Sequence, residues 1–238
     1  MREIIGFIAD FDRSIILFLN EFEGRSRIFD QAMRLVTGEP LIQGSFLFLF
    51  IWWLWFSDGE SRSEDRIRAI RAAIGIVVAL ILARAMQILL PGRPRPVNDP
   101  TLAFVVPSGL DYEKLEHWSS FPSDHAVIYS AIATVIWMRD RRLGWMAFAW
   151  ILLVGSLPRL YQGLHYPTDV VGGLLVGTAV GYLTQRIGPP TALTDAVLFW
   201  ERRHSQTFYP VAVFFTFELL SLFDDVRRVG RALVQMLF

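Results

Sequence analysis

The stretch SSFPSDHAVIYSAIATVIWM (119–138) joins a polar segment to an almost unbroken apolar run. Ser123 can cap the helix that the apolar run predicts, and His125 falls in the first turn of that helix. Exposed N–H groups and the helix dipole make such an end attractive to anions, and a histidine there can exchange a proton near neutral pH. The stretch predicts an anion site at the mouth of a membrane helix. The alternative is an ordinary capped helix with a polar histidine at the interface.

The composition indicates an integral membrane protein. Of the 238 residues, 53% are hydrophobic and 19% are charged, and the mean hydropathy is +0.38. A soluble domain has about 45–50% apolar residues and about 25% charged ones. The formal charge is zero, so no strong attraction to nucleic acid is expected. The absence of cysteine excludes disulfides and thiolate metal sites.

Six segments are candidates for membrane spans, since a helix needs about 20 largely apolar residues to cross the hydrocarbon core. They are 40–57, 72–90, 125–138, 144–163, 169–187 and 208–223, the last of which carries Glu218. These segments predict an all-α fold, a polytopic transmembrane helical bundle with about six spans.

The first 39 residues differ from the rest. Asp10, Asp12 and Arg13 interrupt their apolar residues, which predicts an amphipathic N-terminal helix lying in the membrane interface. The predicted organisation is a single membrane domain, 1–238, with an interfacial region at 1–39, a motif core at 84–187 and a C-terminal helical region at 205–238.

The arginines predict which ends of the spans share a face of the membrane. Arginine-rich connections fall at 58–71, 139–142 and 185–204, and such short loops stay cytoplasmic. If the spans alternate, segments 91–122 and 159–168 meet on the opposite face, although three arginines there run against the bias. The sequence therefore predicts a site that faces the periplasm or exterior of a bacterial inner membrane.

The segment PGRPRP (91–96) presents Arg93 and Arg95 between prolines that fix the backbone φ angle. Guanidinium groups bind phosphate oxygens in pairs, and a stiff backbone makes that binding more specific. The segment predicts phosphate binding. An ordinary basic cluster attracted to lipid headgroups is the alternative.

The segment RLYQGLHYPTD (159–169) combines an arginine, a histidine and an aspartate. Pro167 suits the first turn of a helix, which places Asp169 in that turn. Asp169 could reach the ring of His165, and a carboxylate bonded to one imidazole nitrogen leaves the other free as nucleophile or base. Arg159 is placed to contact the same anion. A helix start with a solvent-facing His and Arg is the simpler alternative.

Together the three segments resemble the motifs of the type 2 phosphatidic acid phosphatase family, whose site is shared with the vanadium haloperoxidases. The family's motifs read Lys-x6-Arg-Pro, Pro-Ser-Gly-His and Ser-Arg-x5-His-x3-Asp. The matching positions here are Arg95-Pro96 for the end of the first, FPSDH (121–125) for the second, and Arg159, His165 and Asp169 for the third.

The resemblance implies a lipid phosphatase that works through a phosphohistidine and needs no metal or other cofactor. His165 would attack phosphorus, Asp169 would orient it, and His125 would protonate the leaving oxygen and then activate water. The side chains that would stabilise the phosphate oxygens are Arg95, Arg159 and Ser123. Such a transition state needs positioning and cationic donors more than covalent help. The implied partners are a phosphorylated lipid and the bilayer; no oligomeric state is predicted.

Two departures from the family pattern concern charge. Ile88 stands where the first motif has Lys, and both Arg84, one helical turn earlier, and Arg93 are candidates to supply the lost charge. Snorkelling, or a bond to Gln87, is the alternative for Arg84. Asp124 replaces Gly beside the predicted phosphate-binding groups, where it either faces away or tempers phosphate affinity.

Gly173, Gly177 and Gly181 form a series of small residues four apart. Such a series lets a neighbouring helix approach closely. The sequence therefore predicts tight packing against the span at 169–187, which would hold the histidine-bearing turn rigidly.

The outward loop 97–121 contains a second Pro-Ser-Gly at 107–109, but no histidine follows it and no apolar span comes next. The loop is expected to carry a short helix at 111–118 and to shape substrate access. His117 and His204 are interpreted as surface or interfacial residues.

The leading functional hypothesis is a lipid phosphatase acting on undecaprenyl diphosphate, with phosphatidate and phosphatidylglycerol phosphate as alternative substrates. A vanadate-dependent haloperoxidase would share the site, but six spans argue against a soluble enzyme of that kind. A zinc hydrolase using His125, His165 and Asp169 is disfavoured by the nearby arginines. A non-catalytic lipid-binding or transport protein is the remaining alternative.

Overall fold

Helices make up the architecture, and no strand occurs within the residues that the computed structural model describes, 2–107 and 118–223. The bounds are α1 Arg2–Asn20, α2 Arg27–Gly38, α3 Pro40–Trp55, α4 Arg62–Leu89, α5 Asp124–Arg139, α6 Arg141–Trp150, α7 Leu157–Tyr161, α8 Pro167–Ile187, α9 Thr191–Arg203 and α10 Ser205–Leu220. A 3₁₀ turn lies at Pro96–Asn98, and a π-helical stretch, Ile151–Ser156, joins α6 to α7. The all-α prediction is confirmed for these ranges. His117, nearly all of the predicted helix at 111–118, and residues 224–238 lie outside them.

Helix α5 lies at the centre of the bundle. Residues 126–136 are all buried, and a helix that is apolar all round can be enclosed on every side. Helices α4, α6 and α8 pack around it. The polar residues at the start of α5 are therefore held among its neighbours.

Helix α8 approaches α5 closely because it presents glycines to it. A methyl group added at Gly177 would overlap the carbonyl of Val127, and one at Gly181 would overlap the carbonyl of Ala131. Gly173 faces the first turn of α5 in the same way. The predicted packing role of this series is confirmed, and it sets the start of α8 against the start of α5.

Fewer helices are long enough to span a membrane than the sequence suggests. Within the described ranges three are long and apolar enough, Arg62–Leu89, Arg141–Tyr161 and Pro167–Ile187, and the pair α2–α3, bent by 50°, makes a fourth if counted as one span. The bend falls at Glu39, which is extended because a following proline disfavours the helical region. The predicted count of six is not confirmed, since α5 and α10 have 16 residues each.

Helix α1 packs on α7 and α8, so the predicted interfacial helix is not confirmed. Asp12, one of the charges behind that prediction, is 1% exposed. Its Oδ1 accepts a hydrogen bond from the backbone N–H of Thr168 at 3.0 Å. The start of α8 offers N–H groups and a positive dipole end, which stabilise a buried carboxylate.

The arginine-rich connections lie together at the end of the bundle that is far from the starts of α5 and α8. Asp65, in the first turn of α4, is fully buried and accepts from Arg139 at the end of α5 at 3.0 Å. Arg66 of α4 pairs with Glu201 of α9 at 3.3 Å. Buried carboxylates need such partners, and these pairs tie three connections to one end.

Candidate active site

Four of the predicted residues come together from distant parts of the chain. Nη1 of Arg95 lies 3.5 Å from Nε2 of His165, and Nη2 of Arg159 lies 2.7 Å from Nε2 of His125. The two imidazoles are close enough to interact electrostatically. Each histidine therefore presents Nε2 to an arginine at one shared site.

His165 is buried, with 5% of its surface exposed. Its Nδ1 lies 2.8 Å from the carbonyl oxygen of Ser120, which can only accept, so Nδ1 carries the proton and Nε2 keeps its lone pair. Burial, together with the positive charges of Arg95 and Arg159, holds the pKa of His165 well below its ordinary value. The imidazole is therefore neutral at pH 7, and its Nε2 can act as a nucleophile.

The sequence predicted a hydrogen bond between Asp169 and the ring of His165, and the structure does not contain it. Its Oδ2 lies 3.8 Å from Nδ1, beyond hydrogen-bond distance, and accepts instead from the backbone N–H of Tyr166 at 2.7 Å. Its Oδ1 accepts from Arg93 at 2.6 Å. The carboxylate of Asp169 thus caps the start of α8. The carbonyl of Ser120 is the group that bonds to the imidazole, in the position where the sequence predicted Asp169.

Arg93 contacts carboxylates rather than the histidines. Its Nη1 donates to Asp169 and, at 2.8 Å, to Oγ1 of Thr168, while its Nη2 pairs with Asp12 of α1. The guanidinium also lies 4.0 Å from the centre of the Tyr166 ring, a cation–π distance. Through these contacts Arg93 ties α1 to α8 and is paired with two acids; its role in phosphate binding stays a prediction.

Gln43 belongs to the site and was missed by the sequence analysis. It is 1% exposed on α3, and its Oε1 accepts a hydrogen bond from Nη1 of Arg159. Its Nε2 donates to the carbonyls of Val36 at 2.6 Å and Thr37 at 2.8 Å, which belong to the last turn of α2 and lack helical partners. An amide inside an apolar span is costly unless it is hydrogen-bonded. The position of Gln43 within the apolar segment 40–57 was therefore the sequence feature that could have identified it.

Each of Arg84, Gln87 and Asp124 contacts the other two, beside the site. Arg84 pairs with Asp124 at 2.8 Å and donates to Gln87 at 3.0 Å, and Gln87 in turn donates to Asp124 at 2.6 Å. The charges of Arg84 and Asp124 both act on the nearby Arg95. Asp124 therefore faces the arginine predicted to replace the missing Lys and partly neutralises it.

Ser123 occupies the N-cap of α5, as predicted, but its hydroxyl makes no capping hydrogen bond. Its backbone N–H donates to the carbonyl oxygen of Asp169 at 3.1 Å. The bond joins the first turns of α5 and α8. The hydroxyl does not take up the first N–H groups of the helix, as that of a capping serine would.

The pairing of arginines with histidines suits an anion rather than a metal cation. Guanidinium groups match the oxygens of phosphate, and each one here lies beside an imidazole nitrogen. Within residues 2–107 and 118–223, no group of three or more His, Asp or Glu side chains is arranged to hold a metal ion. The site can therefore bind an oxyanion and direct a nitrogen lone pair towards its central atom.

Comparisons with known proteins point to one family. The family model of the PAP2 superfamily matches residues 72–190, half of the chain. Undecaprenyl-diphosphatase BcrC of Bacillus subtilis is 30% identical over 156 residues, which are 66% of this chain and 73% of that protein. Lipid A 4'-phosphatase of Bacteroides thetaiotaomicron is 28% identical over 195 residues, covering 76% of this chain and 78% of that protein.

The fold agrees with that of a solved structure. The crystal structure of Aquifex aeolicus LpxE matches with a TM-score of 0.54, covering 73% of this chain and 93% of that one at 23% identity. The family match includes both histidines and the arginines paired with them, whereas Gln43 and Asp12 lie before it. On the family match and the similarity to BcrC, the chain belongs to the PAP2 superfamily.

Proposed function

We propose that this membrane lipid phosphatase removes the terminal phosphate of undecaprenyl diphosphate through a phosphohistidine formed on His165. The observation that carries the proposal is the pair of imidazoles, His165 buried and His125 half-buried, each with Nε2 beside a guanidinium. Membership of the PAP2 superfamily supports phosphatase chemistry on a lipid. The name of the relative from Bacillus subtilis supports a polyprenyl diphosphate as substrate.

In the first step, Nε2 of His165 attacks the terminal phosphorus and forms an N–P bond while the bond to the bridging oxygen breaks. The carbonyl of Ser120 keeps the proton on Nδ1 and stabilises the positive charge that the ring gains. Arg95 and Arg159 neutralise the charge on the equatorial oxygens. The leaving group is the lipid monophosphate, whose bridging oxygen takes a proton from His125.

In the second step, a water molecule attacks the phosphohistidine and gives a proton to His125. The N–P bond breaks, inorganic phosphate forms, and His165 regains its lone pair. In the substrate-free site Arg159 donates to Nε2 of His125. A bound phosphate offers Arg159 oxygen acceptors instead, so Nε2 of His125 is free to take a proton from the incoming phosphate group, give it to the leaving oxygen in the first step and regain one from water in the second.

The remaining predicted residues have supporting roles in this proposal. Asp169 acts as a positioning residue through the start of α8, and the Ser123 hydroxyl is a donor to a phosphate oxygen. Arg84 supplies the charge of the missing Lys, and Asp124 limits that charge through their ion pair.

We also propose that α5 and α10 complete a single domain with six passes across the membrane. Helix α5 begins with Asp124 beside Gln87, near one end of α4, and ends with Arg139 beside Asp65, near the other. Its 16 residues measure about 24 Å, and with the side chains at its two ends it reaches both ends of α4. With the arginine-rich end cytoplasmic, the site faces the periplasm or exterior of a bacterial inner membrane.

The test measures phosphate release by the purified protein from undecaprenyl diphosphate, phosphatidate, phosphatidylglycerol phosphate and lipid A. We expect undecaprenyl diphosphate to give the highest kcat/KM. His165→Ala should abolish turnover, because no nucleophile remains. His204→Ala is the matched control, since His204 is exposed at the end of α9, and it should keep full activity.

Two results would separate the proposal from its alternatives. Equal rates across the panel would remove the preference for a polyprenyl substrate. Lipid phosphate binding without turnover in the unmodified protein would favour a binding or transport protein. A phosphate label that survives alkali, is released by acid and is lost in His165→Ala would identify the phosphohistidine.

A further inference from the structure

An apolar cavity lies between α3, α4, α9 and α10. Its volume is about 480 Å³, within the usual range for a ligand pocket of about 300–1,000 Å³. Side chains such as Ile70, Ala73 and Val77 of α4 face Val197 of α9 and others of α10 across it. The walls contain almost no hydrogen-bonding groups, so the cavity suits a hydrocarbon chain rather than a polar ligand.

A basic recess lies beside this cavity, between the start of α4 and the end of α9. It has a volume of about 320 Å³, and Arg62 and Arg66 of α4 and Arg202 of α9 line it. These residues lie about one to two turns nearer the arginine-rich end than the apolar lining residues. The two spaces together have one apolar part and one cationic part, which is the shape of a site for an amphiphile.

Two of the three arginines are not engaged in an ion pair within the described residues and are available to bind an anionic ligand. Arg66 already pairs with Glu201 at 3.3 Å and donates to the carbonyl of Trp55 at 3.2 Å. Arg62 and Arg202 are exposed and make no ion pair with any acid in the part of the chain that the structure describes. Glu60 is the one acid among the residues that line the recess. Because three arginines outnumber this one acid, the lining keeps a net positive charge.

We propose that this cleft binds one anionic glycerophospholipid of the bilayer, with an acyl chain in the apolar cavity and the phosphate at Arg62 and Arg202. The surrounding membrane supplies this ligand, and basic recesses between membrane helices are suited to anionic headgroups. The cleft is not the candidate active site. Arg66 and Gln87 lie near opposite ends of α4, about 32 Å apart along its axis.

The test uses full-length protein purified in a neutral detergent and stripped of lipid. Phosphatidylglycerol or phosphatidylcholine is added back, and bound lipid is counted by native mass spectrometry while the melting temperature is followed. Arg62→Gln/Arg202→Gln removes the headgroup contacts, and Ala73→Phe fills the cavity. Arg141→Gln/Arg142→Gln is the matched control, because these exposed arginines lie at the same end but do not line the recess.

We expect one phosphatidylglycerol to bind the unmodified protein and the control and to raise their melting temperatures. The arginine variant should bind it about tenfold more weakly, and Ala73→Phe should lose it. Glycerol phosphate alone should give no shift, because it lacks the chain. Equal binding by all four proteins, or equal binding of phosphatidylcholine, overturns the proposal. Loss of a dimer rather than of a lipid in the arginine variant would assign the cleft to a second copy of the chain.

Discussion

Nδ1 of His165 lies 2.8 Å from the carbonyl oxygen of Ser120 and 3.8 Å from the carboxylate of Asp169. A backbone carbonyl does not titrate, so the tautomer of His165 is fixed by the path of the chain. The N–H of Ser120 donates to the carbonyl of Arg93 at 2.9 Å, which holds that path. Asp169 contacts Arg93 through its side chain, and the backbone of Arg93 in turn holds Ser120.

The Arg93–Asp169 pair should show strong energetic coupling. Arg93→Gln and Asp169→Asn each remove the same ion pair, so the loss of melting temperature in the double variant should be smaller than the sum of the single losses. The control combines Arg93→Gln with Asp195→Asn, an exposed acid on α9, and should be additive. Additivity in the first cycle as well would show that the pair does not work as a unit.

The pH dependence of kcat/KM should reflect the depressed pKa of His165. Because burial and nearby arginines lower this pKa, His165 stays neutral as the pH falls through about 6.5, and the acid limb should lie below that value. Arg95→Gln removes one lowering charge, so the pKa should rise and the limb should move to higher pH. Arg141→Gln serves as the distant control. An unchanged limb in Arg95→Gln would contradict the assignment.

Gln43 should be needed to position Arg159. In Gln43→Leu the guanidinium loses its acceptor on α3, and a hydrogen bond to a charged group is worth about 1.5–3 kcal/mol. The KM for substrate and the Ki for orthovanadate should rise about tenfold or more. Gln185→Leu is the matched control, since Gln185 is a buried amide that bonds a carbonyl at the other end of the bundle. Equal effects of both substitutions would assign Gln43 to stability alone.

Asp124 should weaken phosphate binding. Asp124→Asn keeps a side chain of the same size but removes a negative charge beside the arginines, so inorganic phosphate should inhibit more strongly, by several-fold. Arg84→Gln should act in the opposite direction. The exposed Asp58 provides the control, Asp58→Asn. Weaker inhibition in Asp124→Asn would mean that the acid mainly holds Arg84 in place.

Gly177 should tolerate no larger side chain. Gly177→Val forces α8 away from the carbonyl of Val127, which should lower the melting temperature and separate the two histidine-bearing turns, with loss of phosphate release. Ala179→Val places the same side chain on the exposed face of α8 and should change neither measurement. A stable, active Gly177→Val would show that the site does not depend on this contact.

Composition and motif spacing were enough to predict the helical membrane character and most residues of the candidate site. Apolar runs of this length must avoid water, and the fixed spacing of Arg159, His165 and Asp169 within one short segment limits where these groups can lie. The glycine series likewise specified a close helix contact, because the absence of a side chain acts wherever the helix packs.

The hydrogen-bond partners within the site could not be predicted from the sequence and follow from the folded structure. Arg93 pairs with Asp12 and Asp169, and Arg159 meets Gln43, although these partners are separated by up to 116 residues. Several acceptors compete for each guanidinium, and a hydrogen bond acts only within about 3 Å. The acceptor that bonds to each guanidinium therefore depends on how the helices pack, and the spacing of residues along the chain does not specify this packing.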